Sequence, residues 1–252
     1  MKLKQFLKLF IYFHQPEFLL LMTDEQAVTS TPERINYTAT IGGILLALLF
    51  PFAMVYAIAP WHLNLASRLM INPCVFWGEV LLLAGYARLV ERRPLLIWKN
   101  REFDILFFAG WVVLLYLICY GANIIAAIPR LFGVHENRDL INRVSAAFKN
   151  HAVLLVVTAF TAGFTEEIIF RGYILTRLSL MCKHKYVPLF ISAAIFAAVH
   201  LNYKSVSEVI FTFLIGLTLG YYYLKYRDIR VIIAVHFLID LVGFLIGQHY
   251  AK

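Results

Sequence analysis

The chain has 252 residues, 61% of them hydrophobic and 15% charged, with a formal net charge of +8 and a mean hydropathy of +0.74. Soluble domains are nearer half apolar and a quarter charged, so composition excludes an ordinary soluble globular domain. The positive charge comes without a compact basic stretch interleaved with aromatic residues, which argues against nucleic acid as a partner; the Lys/Arg bias of cytoplasmic loops accounts for it instead. Cys74, Cys119 and Cys182 are odd in number, irregularly spaced and form no C-x-x-C pair, so neither a disulfide framework nor a zinc ribbon is supported.

Residues 1–22 carry Lys2, Lys4 and Lys8 and then an aromatic-rich stretch holding His14, Pro16 and Glu17. No small-residue cleavage site follows, so the stretch reads as an interfacial helix lying on the membrane and not as a signal peptide. Residues 23–36 are polar and read as loop. Apolar runs then occupy 37–60, 70–90, 105–129, 153–178, 187–203, 206–224 and 231–247. Each is roughly 17–25 residues, long enough to cross about 30 Å of hydrocarbon.

The expected fold is therefore all-α, a polytopic membrane helix bundle of about seven transmembrane helices plus the N-terminal interfacial helix. Three regions follow: an interfacial segment at 1–36, N-terminal transmembrane helices at 37–149, and a core at 150–252 where polar residues gather inside apolar runs. Lys and Arg are about twice as frequent on the side holding the N-terminus and the 91–104, 179–186 and 225–230 loops, which places that side in the cytoplasm. The plasma (inner) membrane of a prokaryote is the expected location.

Ionisable groups inside a bilayer are costly and persist where they face a protein interior or a water-filled cavity. Three helices carry them. In Thr165-Glu166-Glu167-Ile168-Ile169-Phe170-Arg171, Glu167 and Arg171 share a helix face at i, i+4 and can neutralise each other. Glu166 points about a quarter turn away and is left to bind water; adjacent buried carboxylates suit one of them to general-base work near neutral pH. The second set is Phe196-Ala197-Ala198-Val199-His200, where Ala193, Ala194, Ala197 and Ala198 allow close helix approach. In the third, His236 and Asp240 again stand at i, i+4. Glu166 and His200 fall at compatible depths near mid-membrane, whereas His236 is shallower unless the last helix begins before Arg230.

Other polar positions read more plainly. Glu79 in the second run is expected to pair with a polar group elsewhere. Gly216 and Gly220 have the spacing of helix packing. His249 and the cluster at 135–139 are expected to be solvated.

Glu-Glu-x-x-x-Arg, then Phe-x-x-x-His, then His-x-x-x-Asp, in order on successive helices, resembles the CPBP family: CAAX prenyl endopeptidases and bacteriocin-processing or immunity (Abi) proteins. The matching positions are Glu166, Glu167 and Arg171, then Phe196 and His200, then His236 and Asp240, within roughly residues 150–247. The resemblance implies an intramembrane endopeptidase in which Glu166 and His200 activate a water against a peptide carbonyl. It implies that His236 and Asp240 stabilise the oxyanion or ligate a metal, with Glu167, Arg171 and Phe196 in support. The final Asp240 stands where Asn is the alternative; an ionised carboxylate only accepts hydrogen bonds, so Asp240 must be protonated, orient His236, or bind a metal. Glu166, His200, His236 and Asp240 form an N/O donor set compatible with Zn2+, and a metal-free glutamate mechanism is equally compatible. The substrate expected is a membrane-associated protein or peptide, with the lipid bilayer as the other partner; the sequence is silent on oligomeric state. The competing reading is a non-catalytic membrane immunity or scaffold protein that uses the same buried polar cluster for binding.

Overall fold

A computed structural model describes residues 35–96, 104–137, 139–149 and 151–250; the interfacial helix expected within residues 1–22 lies outside them. Among the described residues there is no strand. In hydrocarbon every backbone polar group must be satisfied within the segment, which leaves helices as the means for one chain of this pattern to cross. The elements are α1 (Tyr37–Ile58), α2 (Leu65–Tyr86), α3 (Ile105–Ala126), the short α4 (Ile128–Leu131), α5 (Asp139–Ala147), α6 (Ala152–Glu166), α7 (Thr176–Met181), α8 (Val187–Ala198), α9 (Val206–Tyr226) and α10 (Ile229–Tyr250). A π-helical segment, Glu167–Leu175, joins α6 to α7, and a second, Ala87–Glu91, prolongs α2.

Local chemistry sets the ends. Side chains of Asn36, Asn64, Asp104 and Ser205 each accept a hydrogen bond from a first-turn amide of α1, α2, α3 and α9, as N-caps do. At the far ends, His62, Arg92, Lys204 and Arg227 take positive φ, which stops the helix and turns the chain.

Among the described residues six helices are long and apolar enough to cross a membrane: Tyr37–Trp61, Leu65–Glu91, Ile105–Leu131, Ala152–Met181, Val206–Tyr226 and Ile229–His249. The seventh run, Val187–Tyr203, forms a shorter apolar helix, so the bundle of about seven apolar helices is present with one of them short. Its α-helix stops at Ala198, a 3-10 turn at Leu201–Tyr203 follows, and Lys204 at φ 54° ends it. The hydrophobic run alone did not register that break. Large side chains such as Leu49, Phe52 and Val55 on α1 and Leu106, Val113 and Leu117 on α3 face outward, an apolar surface that suits lipid.

Close helix approaches position the polar-bearing helices. A Cβ at Gly163 of α6 would lie 2.7 Å from the Phe237 backbone nitrogen of α10. A Cβ at Gly216 of α9 would lie 2.9 Å from Ala193 Cα, and one at Gly220 would lie 2.6 Å from Leu189. Gly216 and Gly220 therefore pack α9 antiparallel against α8. On α1, Gly43 receives the Tyr173 ring of the π segment.

A second buried knot ties α2 to the end of the π segment. Arg177 donates to Glu91 Oε2 from Nη2 (2.7 Å) and Nε (3.1 Å), and to the Pro94 and Leu95 carbonyls; Tyr173 donates to Glu91 Oε1. The Arg177 and Glu91 side chains are both 2% exposed. A buried ion pair so well hydrogen-bonded is costly to break on one side, so Arg177→Met is expected to lower stability by about 3–5 kcal/mol, read as a fall in the thermal unfolding midpoint in detergent.

The cluster at 135–139 departs from the expectation of full solvation at Glu136. Its Oε1 accepts from Ser207 N (3.0 Å) and Ser207 Oγ (2.8 Å), and Ser207 Oγ accepts from Arg130 Nε. Partial burial opposes the Glu136 charge, but the hydrogen bonds from Ser205 and Ser207 and the nearby Arg130 outweigh it and hold the carboxyl below its ordinary 4.5. A folded-state value below the unfolded one gives stability that is present above that ordinary value and lost as pH falls through the folded one. Acid titration of the unfolding midpoint is therefore expected to show a drop below about pH 4.5 that Glu136→Gln reduces.

Candidate active site

The site is built where α6 gives way to the π segment. Every residue from Glu167 to Leu175 is buried. Thr165 Oγ donates to the Thr161 carbonyl (2.7 Å), and Thr176 Oγ donates to the Gly172 carbonyl (2.6 Å), so hydroxyls bracket the wider turn. Such π turns within α-helices recur at functional sites because they re-aim side chains.

Glu167 is the centre of the cluster. Its side chain is fully buried, and its Oε1 accepts from Arg171 Nη1 at 2.8 Å, the i, i+4 pair legible in the sequence. The same oxygen lies 2.7 Å from His236 Nδ1 of α10. A carboxylate only accepts, so Nδ1 carries the proton of this bond, which fixes the ring. Nε2 then faces Glu166 Oε2 at 4.0 Å and Asp240 Oδ2 at 3.8 Å. Both separations exceed hydrogen-bond range and place three polar atoms around one small space. The Glu166 and Asp240 side chains retain 16% and 23% exposure, against 7% for His236. Because α10 begins at Ile229, His236 lies deep enough to meet Glu166, the condition on which the depth argument turned.

Phe196 is the plate between the parts. It is 2% exposed. The Arg171 guanidinium lies 4.4 Å above its ring, and His200 and His236 meet it edge-on at 4.8 and 6.1 Å between centroids. His200 follows the end of α8. Its Nδ1 lies 2.7 Å from the Phe196 carbonyl and donates to it, and its ring lies parallel to that of Tyr203. The structure thus brings Glu166, Glu167, Arg171, Phe196, His236 and Asp240 together and sets His200 at their edge, beside Phe196.

Two residues at this site, Tyr203 and Glu208, escaped the sequence reading. Tyr203 interacts electrostatically with Glu166, Glu208 and Asp240. Glu208 had a signal, the Ser205-x-x-Glu208 spacing of a capping box, and the Glu208 amide does donate to Ser205 Oγ. Glu79 was expected to pair with a polar group, yet neither of its carboxyl oxygens has a hydrogen-bond partner among the described residues, and it is 1% exposed.

Among the described residues no group of three or more His, Cys, Asp or Glu side chains is arranged to hold a metal ion. The separations of 3.8 and 4.0 Å from His236 Nε2 are wider than the roughly 3.4 Å between neighbouring ligands of a tetrahedral zinc with bonds of about 2.1 Å. Glu166 and Asp240 as placed therefore stand further from His236 than neighbouring ligands of a bound zinc would. A cavity of about 550 Å³ lies elsewhere, lined by Trp111, Leu115, Leu189, Tyr222 and other apolar or aromatic residues. No member of the polar cluster lines it, so the chemistry is located by the cluster and not by that space.

A multi-pass membrane bundle with a buried carboxylate–histidine cluster defines the class. Over residues 148–242, which hold every residue of the three motifs, the chain matches the family model described as Rce1-like, Type II CAAX prenyl endopeptidase Rce1-like. The match is consistent with a CPBP-family endopeptidase and supports intramembrane endopeptidase activity in general. It covers less than half of the chain. No curated protein matches the sequence, and no solved structure matches the fold.

The approach of α6 to α10 at Gly163 is what allows Glu167 to reach His236. Gly163→Ala must displace backbone, not a flexible side-chain tip. It is expected to destabilise the protein by about 1–3 kcal/mol and to lower turnover more than Gly78→Ala, a position with open space around it; unfolding midpoints and initial rates in detergent check this.

Proposed function

We propose that the chain hydrolyses a peptide bond of a membrane-associated protein or peptide, using a water activated at Glu166. The observation that carries this is the double use of Glu167 Oε1, which binds Arg171 and His236 at once and so turns His236 Nε2 toward Glu166 and Asp240. A structural ion pair needs only Glu167 and Arg171. The additional carboxyls, and Glu167 Oε2 and Arg171 Nη2, which have no hydrogen-bond partner among the described residues, exceed what packing requires.

The residues divide the work. Glu166, partly exposed, accepts a proton from water as the oxygen–carbon bond forms. His200, its Nδ1–H committed to the Phe196 carbonyl, presents Nε2 as an acceptor that assists. A protonated His236 donates Nε2–H to the developing oxyanion while Glu167 holds its other side. Asp240, at 3.8 Å, supports the charge on that ring and needs no proton of its own for the role. Arg171 balances Glu167. The proton on Glu166 passes to the leaving nitrogen as the C–N bond breaks. The family match supports a prenylated C-terminal peptide as the substrate class, and the Lys/Arg bias supports a cytoplasmic N-terminus.

Protein reconstituted in vesicles is expected to cleave a farnesylated C-terminal peptide. Glu166→Gln is expected to lower kcat by about 100-fold or more with an unchanged unfolding midpoint. Wild-type turnover in that variant, or cleavage absent from the wild type, would instead favour the immunity or scaffold reading, in which Glu166 and His200 are dispensable. Metal analysis of the same preparations is expected to show no stoichiometric zinc. About one zinc per chain, lost in both His236→Ala and Asp240→Ala, would convert the mechanism to a metal-assisted one.

A further inference from the structure

The cavity of about 550 Å³ lies between α3, α8 and α9. Its α9 wall runs from Leu217 to Tyr226, about 14 Å at the rise of a helix. No charged side chain among the described residues lines it, and the Thr218 hydroxyl in its wall donates to the Leu214 carbonyl. Ile118, Phe190 and Tyr221, one from each helix, are exposed, so in a membrane the cavity opens sideways to lipid. Charge enters at one end. Tyr186 and Tyr226 both line the cavity, and each has a lysine over its ring. Lys185 Nζ lies 5.8 Å from the Tyr186 centroid and Lys225 Nζ lies 5.2 Å from that of Tyr226, within cation–π reach. Trp111 and Phe107 meet Tyr226 at 4.9 and 5.7 Å between centroids, an aromatic grouping suited to a membrane–water interface. This end belongs to the membrane face with the Lys/Arg excess. The carboxylates that flank these helix ends have other roles: Asp104 caps α3, and Asp228 is paired with Arg230 at 2.7 Å.

We infer that this cavity binds an anionic phospholipid of the bilayer, with one acyl chain lying against α3, α8 and α9 and the phosphate at the Lys185 and Lys225 end. Charge complementarity selects that occupant. The walls offer chiefly apolar contact, so the part of the ligand they cover is a hydrocarbon chain. The two ammonium groups interact as like charges, and an anion beside both relieves that repulsion. Basic pockets between helices at a membrane face recognise anionic headgroups in this way. A zwitterionic lipid brings its own cation to the same place and gains less. The lipidated substrate fits less well, because no member of the Glu166–His236 cluster lines the cavity. The inference does not rest on the hydrolytic reading above.

Native mass spectrometry of the full chain in mild detergent, with phosphatidylglycerol or phosphatidylcholine added, tests this. The wild type is expected to retain about one phosphatidylglycerol per chain, roughly tenfold in preference to phosphatidylcholine. The double variant Lys185→Gln/Lys225→Gln is expected to lower phosphatidylglycerol retention about tenfold. Arg92→Gln/Lys183→Gln, the same loss of charge elsewhere on that membrane face, is expected to leave it unchanged. Ile118→Trp, at an exposed position, fills the cavity and is expected to abolish retention with both lysines intact and the unfolding midpoint unaltered. Equal retention of the two lipids by the wild type overturns the proposal, as do equal losses in the two double variants, which would mean diffuse surface charge. Retention indifferent to Ile118→Trp overturns it as well. Displacement of the bound lipid by a farnesylated peptide would make the cavity a substrate subsite and contradict the proposal too.

Discussion

A carboxylate held inside a membrane must be partnered, and Glu167 is the carboxylate on which the rest of this site depends. It is completely buried and finds Arg171 on its own helix and His236 on α10. Each partner has a consequence. Arg171 supplies the opposite charge and lies over Phe196, which ties α8 to the cluster. His236 is turned so that its second nitrogen meets Glu166 and Asp240. One buried charge thereby orients groups from three helices without itself facing the substrate.

The bundle makes that meeting possible by removing side chains where helices cross. Gly163 brings α6 within backbone contact of α10, and Gly216 brings α9 onto α8. Between helices in lipid, where apolar side chains gain nothing by leaving the tails, close approach and polar contacts are what hold segments together. The same logic operates at the other end of the π segment, where Glu91, Arg177 and Tyr173 form a closed set of hydrogen bonds. The two polar knots stand at opposite ends of the π turn, Glu167 opening it and Tyr173 and Arg177 closing it.

The sequence revealed whatever lies within one helix. The Glu167–Arg171 pair follows from i, i+4 spacing and is present; the apolar runs locate the helices within a few residues; the motif order leads to the same segment that the family model matches. It did not reveal choices made between helices. His236 was read beside its i, i+4 neighbour Asp240, yet its hydrogen bond goes to Glu167, a partner 69 residues away. Glu136 looked solvated because its partner, Ser207, belongs to the start of a distant helix. The run at 187–203 looked like a full span because hydropathy does not register the backbone turn at Lys204. Glu79 looked like the partner of some other polar group, since a buried carboxyl without a hydrogen-bond partner among the described residues is recognisable only once its surroundings are known.

The central claim is that the Glu167–His236 bond is an energetic link between α6 and α10 and not an incidental contact. A double-mutant cycle with Glu167→Gln and His236→Gln, read from equilibrium unfolding in a mild detergent, isolates it from the loss of Arg171's partner, which both arms of the cycle share. The account predicts a coupling of about 1–3 kcal/mol. Additive single effects, with coupling indistinguishable from zero, would mean that something else holds His236 in place, and would contradict the account.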